Sequence, residues 1–512
     1  MLLASVQVSS AFADISVSPD DKACSDVTGK PFCSLNAAVR HARLNTVIRL
    51  ASHRYVENVA IDKSVRIVGA ARDNVVIDGG ETGSVFYVNP AVNVTLENLT
   101  IINGYSENGG GVHNQGRLTI RNCTISKNVA QHSGGGIYSG GSMSAELLIE
   151  HASITNNESL GHDKYKIKYG GGGIYSNAPL RVADAEISNN RAVDNGGGIY
   201  SIFTRRRQAS LVEQLTEKMG VATPPPKQIM LSHMDNALPT VLRNVRIVTN
   251  RAGNGGGLHL SGRTDIRNSH IYGNAAVESP ISSGGGIFAH FSAQLSLVNV
   301  NVLGNSAALR GGGIWFYSVN ASQFYNTSII GNVIGEGGKG AGLFVQSGSA
   351  QLELSHSILD QNLAGDGHID DCAGSIVSAG YNFYRTGDRC KAEAHPGDID
   401  ASIEQGVDSG VELFADDSGY RFKAKSPLID AGNPSGCKDP DGVQPDVDAQ
   451  GNPRLIDGNS DGNPRCDIGA IEMQQAQTSA RKMPENDQIS RKNLTRKPFA
   501  PYLLTMKQPH LP

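Results

Sequence analysis

Gly134-Gly135-Gly136-Ile137-Tyr138 recurs as Gly171-Gly172-Gly173-Ile174-Tyr175 and again as Gly196-Gly197-Gly198-Ile199-Tyr200. The same glycine segment precedes Val112, Leu258, Ile287 and Ile314, and a Gly-Ala-Gly version precedes Leu343. The steps between these aliphatic residues are 25, 37, 25, 59, 29, 27 and 29 residues. The two long steps contain insertions, Ser159–Tyr169 and roughly 202–240. A second column runs in phase, an aliphatic residue followed three positions later by asparagine: Ile125/Asn128, Ile154/Asn157, Ile187/Asn190, Ile247/Asn250, Ile271/Asn274, Val302/Asn305, Ile329/Asn332 and Leu359/Asn362. Self-similarity at this period marks a solenoid, in which each unit buries its apolar face only against its neighbours.

Each column has a physical reason. A coil needs sharp turns between strands. Glycine reaches dihedrals closed to other residues and lets coils approach closely. Asparagine tolerates left-handed dihedrals and hydrogen-bonds its own backbone or a stacked asparagine. Aliphatic residues at matching positions then stack at the strand spacing and fill the bore. The expectation is an all-β, right-handed parallel β-helix of about ten to twelve coils, roughly 50–60 Å long at a spacing of about 4.8 Å.

Outward from this core, short β-branched runs such as Val65–Val68 and Val75–Ile77 begin at Thr46, separated by Asn, Asp and Gly. None leaves room for a βαβ helix. The helix is therefore expected over residues 46–390. Residues 14–45 are expected to form an N-terminal cap: Ser34 is an N-cap candidate, and Leu35, Ala38, Val39 and Ala42 share one helical face. Such a helix would shield the open strand edges. The insertion 202–240, with Arg205-Arg206-Arg207 and Pro224-Pro225-Pro226, interrupts the repeat without ending it. After Cys390 the repeat fades. Residues 391–472 are turn-rich and acidic, read as a C-terminal cap, and 473–512 form a basic tail. Residues 1–13 end in Ala11-Phe12-Ala13 and read as an export signal that lacks a basic start.

Composition agrees. Sixty glycines with no three-residue period exclude collagen, and regular apolar recurrence excludes disorder. A net charge of −4 gives no electrostatic case for nucleic-acid binding. No apolar run is long enough for a transmembrane helix. Seven cysteines offer three local pairs, Cys24 with Cys33, Cys372 with Cys390 and Cys437 with Cys466. Cys123 is left in an apolar run and read as buried and inert. Such pairs suit an oxidising compartment.

Three features together resemble known families. Cys33-Ser34-Leu35 before a helix resembles the CSLREA-type N-terminal motif of bacterial surface proteins, although Asn36-Ala37 replaces its Arg-Glu. Asp371-Cys372-Ala373-Gly374 with Gly380-Tyr381-Asn382-Phe383 resembles the last coil of the choice-of-anchor Q proteins. Their closing signature is similar to Ser426-Pro427-Leu428-Ile429-Asp430-Ala431-Gly432, Asn452-Pro453-Arg454 and Cys466-Asp467-Ile468-Gly469-Ala470-Ile471-Glu472. The two repeat columns also look like those of chlamydial polymorphic outer membrane proteins. These resemblances imply a pectate-lyase-like β-helix exported to the cell surface or medium, with no agreed reaction.

The residue after each repeat aliphatic is His113, Tyr138, Tyr175, Tyr200, His259, Phe288, Trp315 and Phe344. Neighbouring strand residues face opposite sides, so if Ile137 lines the bore this column faces outward. Aromatic faces stack on sugar C–H surfaces, and the column from Tyr138 to Phe344 is the candidate ligand-binding ladder. The competing reading has the rings stacking on one another and only stabilising the coil. Asp366, His368, Asp370 and Asp371 form an acidic cluster in which carboxylates for glycoside hydrolysis or turn chemistry are both open. Asp457-Gly458-Asn459-Ser460-Asp461-Gly462 matches the first half of an EF-hand loop, with Ile468 where the twelfth-position glutamate belongs. Asp457, Asn459 and Asp461 are thus the candidate metal ligands, and calcium the only cofactor in view. No Walker loop, dinucleotide fingerprint, zinc spacing or nucleophile elbow is present. The expected function is an extracellular or cell-surface adhesion or carbohydrate-binding scaffold without catalysis, its partner a polysaccharide or host glycan. A polysaccharide lyase or glycosidase on the same fold and a purely structural envelope component are the alternatives.

Overall fold

The structure, a computed structural model, describes residues 14–27, 31–161, 169–202, 240–386, 389–403, 407–414 and 419–474. The export signal, most of both insertions and the basic tail lie outside the described residues. The repeat aliphatics stack strand on strand: Val112 pairs with Ile137, Ile137 with Ile174, Ile174 with Ile199, and onward through Leu258, Ile287, Ile314 and Leu343. All of them are fully buried. Parallel sheets of 21, 12 and 8 strands surround this one apolar bore, the arrangement typical of a right-handed β-helix. Truncating one such isoleucine to alanine removes about 2–5 kcal/mol, because neighbouring coils hold the cavity open.

The asparagine column is a hydrogen-bonded ladder inside the turn between the 21-stranded and 8-stranded sheets. The Nδ2 of Asn128 donates to Oδ1 of Asn157 at 3.0 Å, and the pattern repeats through Asn190, Asn250, Asn274, Asn305, Asn332 and Asn362. Each rung also ties a strand carbonyl of the preceding coil, as Asn157 does Ile125 at 2.9 Å. The sequence reading gave these asparagines left-handed dihedrals as well. That role belongs to the residue before each: Asn156 has φ 57°, Asn189 φ 55° and Thr249 φ 52°. A left-handed residue followed by an inward amide is what turns the corner. The glycine segment fits against this corner. Gly171 has φ 72°, and a Cβ on Gly136 would stand 2.6 Å from the carbonyl oxygen of Gly173.

The ladder ends on an acid. Asn362 donates to Oδ1 of Asp371 at 2.8 Å, and Arg385 pairs with the other oxygen at 3.0 Å. Burial, aided by the charge of Asp360, pushes the Asp371 carboxyl up to about 6 from an ordinary 3.8. The folded state therefore holds its proton more tightly than the unfolded chain does. Stability contributed here is full below about pH 4 and falls by about 3 kcal/mol as pH rises to about 6. Asp371→Asn is expected to flatten that slope in urea unfolding between pH 4 and 7. An unchanged slope would place the titration elsewhere.

At the N-terminal end, helix Leu35–His41 buries Leu35, Ala37, Ala38 and Val39 over the bore. The Ser34 hydroxyl accepts from Ala37 N–H at 3.2 Å, and the Glu57 carboxylate accepts from Leu35 and Asn36 N–H at 2.9 and 2.8 Å. These bonds satisfy the first-turn donors.

The C-terminal stretch differs from a simple end cap. Strands Cys390–Lys391 and Ile399–Asp400 prolong the helix. Beyond them, residues 407–414 and 419–473 lie against the outer flank of the 21-stranded sheet. Their Val411, Tyr420, Phe422, Leu428, Ile468 and Ile471 cover an outward stripe of Val248, Tyr272, Leu303, Ile330, Ile358 and Phe383. Polar ties stitch the seam: Arg267 to Asp439, His270 to the Ala449 carbonyl at 2.8 Å, and Ser328 to Tyr420 at 2.8 Å. The chain explains the docking place. The equivalent outward residues on the three preceding coils are Ser126, Thr155 and Ser188, and they are apolar from Val248 through Ile330. Arg454 and Glu472 are fully buried in this flank with their charges 3.7 Å apart. Asp467 beside them is raised by burial and by the charge of Glu472, so the acids hold protons there above the usual range.

Candidate functional site: the outer face of the twelve-stranded sheet

Alternation in three-residue strands puts Ile137, Ile174 and Ile199 in the bore and Tyr138, Tyr175 and Tyr200 outside. Because the coils are in register, the outward rings form one continuous file. It starts at Tyr87, one coil before His113. Centroid distances along it are 4.7 Å (Tyr87–His113), 4.8 (His113–Tyr138), 5.0 (Tyr138–Tyr175), 5.5 (Tyr175–Tyr200), 4.7 (Tyr200–His259), 4.5 (His259–Phe288) and 4.3 (Phe288–Trp315). The rings therefore stack chiefly on each other. His259 and Phe288 are each only 5% exposed, so these two members present no free face. Burial raises the phenols of Tyr138 and Tyr175, pushes Tyr200 up to about 12, and lowers His113. The tyrosine stretch is thus uncharged at neutral pH.

The file changes character at its C-terminal end. Phe291 is 48% exposed and Tyr317 37%, and they stand 5.8 Å apart. Tyr317 also stacks beside Trp315 at 6.2 Å with planes 18° apart. Phe344 does not continue the ring contacts. Instead the Arg310 guanidinium lies over both Trp315 and Phe344, at 5.7 and 5.4 Å. His290, Phe291 and Tyr317 escaped the sequence reading because they lie just past the strand ends. The available signal was spacing: His290 and Tyr317 fall two residues after Phe288 and Trp315, on the same face.

The other candidates disperse. Asp366 and His368 pair with each other on the surface. Asp370 accepts from Gly340 N–H at 2.7 Å and faces Arg389 at 3.8 Å, while Asp371 ends the ladder. The cluster's acids are engaged in turn and ladder hydrogen bonds. In the EF-like loop, Asp457 accepts from Gly462 N–H, Asn459 from Asp461 N–H and Asp461 from Asn463 N–H, each at 2.8 Å. Interlocked turns account for that spacing. Disulfides join Cys24 to Cys33, Cys372 to Cys390 and Cys437 to Cys466, with Cα atoms 5.1, 5.2 and 6.2 Å apart. Cys123 is buried, its thiol pushed up to about 12. Among the described residues the one cluster of three metal-ligating His, Cys, Asp or Glu side chains is His356, Cys437 and Cys466, and two of these share a disulfide. No helix among the described residues is long and apolar enough to cross a membrane.

Fold and face together define a parallel β-helix protein carrying a continuous outward aromatic file. Sequence comparison adds that the family described as right handed beta helix region matches residues 229–383. The Chlamydia polymorphic membrane protein repeat matches residues 122–140 and 184–202. Each of those spans runs from an Ile-x-x-Asn turn to the following Gly-Gly-Gly-Ile. No curated protein matches. Among solved structures, pectate lyase Pel9A is similar at 12% identity, covering 91% of this chain and 98% of its own, with a TM-score of 0.43. Pectin methylesterase PemA from Erwinia chrysanthemi is similar at 10% identity, covering 78% and 96%, with a TM-score of 0.22.

Proposed function

We propose that this chain is an exported, non-catalytic scaffold that binds carbohydrate along the outer face of the twelve-stranded sheet. The observation that carries the reading is the aromatic group at the end of the stacked file, where exposed Phe291 and Tyr317 flank half-buried Trp315. Pyranose C–H faces pack on such rings, and the tyrosine hydroxyl adds a polar contact. The disulfides and the polymorphic-membrane-protein repeats support export to an envelope or medium. Dispersal of the Asp366–Asp371 carboxylates supports the absence of catalysis. Affinity electrophoresis against a polysaccharide panel tests this. Tyr317→Ala and Trp315→Ala are each expected to weaken retention about tenfold, the effect of losing one ring contact of about 1.4 kcal/mol. Retention unchanged in both variants rejects the face as the binding surface.

A second reading has a specific observation behind it. The mutual stacking from Tyr87 to Phe288 uses the ring faces inside the protein. It supports a structural envelope component, which retains no polysaccharide at all.

A further inference from the structure

One column of turn residues runs beside the aromatic file, joined coil to coil by parallel bridges: Gly170, Asn195, Asn254, Ser283, Arg310 and Lys339. The first four are uncharged. The last two are cations directly opposite each other, at the strand spacing of about 4.8 Å. Like charges in that relation repel and weaken a sheet. Among the described residues neither Arg310 nor Lys339 has an ion-pair partner. The nearby carboxylate of Asp370 is already taken by Gly340 N–H and Arg389. Other cations opposed across coils share an acid: Arg191 and Arg251 share Glu278, and Arg243 and Arg267 share Asp265. An opposed pair that lacks its bridging acid breaks this rule, and such breaks are expected at functional sites.

We propose that Arg310 and Lys339 bind carboxylates of a uronic-acid polysaccharide lying along the rod, its rings against Trp315, Tyr317 and Phe344. This rests on the carbohydrate reading above and names the chemistry of the ligand. Arg310 is already held over the Trp315 and Phe344 rings, so its planar fork is preorganised for a planar carboxylate. Lys339 is exposed one coil further on and supplies a point charge. A homouronate carries a carboxylate on every residue, so its density of planar anions suits two adjacent cations. A sulfated glycan carries tetrahedral anions in place of that planar group.

The full-length protein is titrated with alginate, with carboxyl-reduced alginate as the neutral chain, and with dextran sulfate. Alginate is expected to bind about tenfold more tightly than the reduced chain, the worth of one charge-assisted contact, with a preference that fades as salt rises. K339Q, at an exposed position, is expected to remove most of that preference, and R310Q with K339Q all of it. Binding of the neutral chain stays unchanged in K339Q. Equal affinity for alginate and its reduced form, an unaltered preference in K339Q, or dextran sulfate binding as tightly as alginate overturns the proposal and leaves the carbohydrate reading standing. Failure of every chain to bind removes both.

Discussion

Replacing Asn250 by leucine is expected to cost about 3–9 kcal/mol, because it strands three buried groups at about 1–3 kcal/mol each. The Asn250 Oδ1 accepts from the Asn190 amide N–H and from Asn190 Nδ2, both at 3.0 Å, and its Nδ2 donates to the Ile187 carbonyl at 2.8 Å. Leucine fills the space without meeting any of these groups. The loss is local in a solenoid, since coils interact only with neighbours. Hydrogen exchange should therefore accelerate around Ile187, Asn190 and Asn274 before the ends of the rod are affected. Asn122→Ser is the control. Asn122 has φ 48° and bonds Asn98 across coils, but at the surface. Its loss is expected to cost about 1 kcal/mol, the scale of left-handed strain. Equal costs at the two sites would mean the buried ladder adds no more than a surface turn residue.

Arg454→Leu is expected to detach the flank and leave the rod folded. The guanidinium donates to the Gly469 carbonyl at 2.5 Å and faces buried Glu472. Removing one partner of a buried pair costs about 3–5 kcal/mol, because the other charge stays in the interior unmatched. Limited proteolysis should then cut within 407–473, while the amides of the Ile137-to-Leu343 stack keep their protection. The sign of the pH dependence follows from Asp467 and Glu472. Both are raised, so the folded flank holds their protons more tightly than the unfolded chain. Flank stability is therefore greatest in mild acid and falls as pH rises. Cleavage that tracks global unfolding, or a flank that loosens only on acidification, contradicts this account.

Much of the architecture is readable in the chain because it depends on period alone. Ile137, Ile174 and Ile199 carry the same neighbours, and register follows from identical turns. The asparagine column is equally plain, yet which residue takes the left-handed conformation is not: Thr249 and Gln361 do so without the composition that announces it. The aromatic file follows from alternation next to the buried aliphatics. Exposure of its rings does not, since it depends on how far each side chain leans onto the next coil. The flank was harder to place. The exchange of Ser126, Thr155 and Ser188 for Val248, Tyr272, Leu303 and Ile330 marks a covered surface, but that signal is seen only once the coils are aligned. Opposition of Arg310 and Lys339 was hidden for the same reason, because turn residues carry no periodic pattern of their own.

Trp315 is the chain's single tryptophan and sits half-buried beside exposed Tyr317 at the end of the file, so its fluorescence reports on the face directly. Titrating the protein with alginate at low salt is expected to give a saturable shift of that emission and reduced quenching by acrylamide, both diminished in Tyr317→Ala. Emission and quenching that stay constant across uronic-acid, neutral and sulfated polysaccharides would contradict carbohydrate binding at this face.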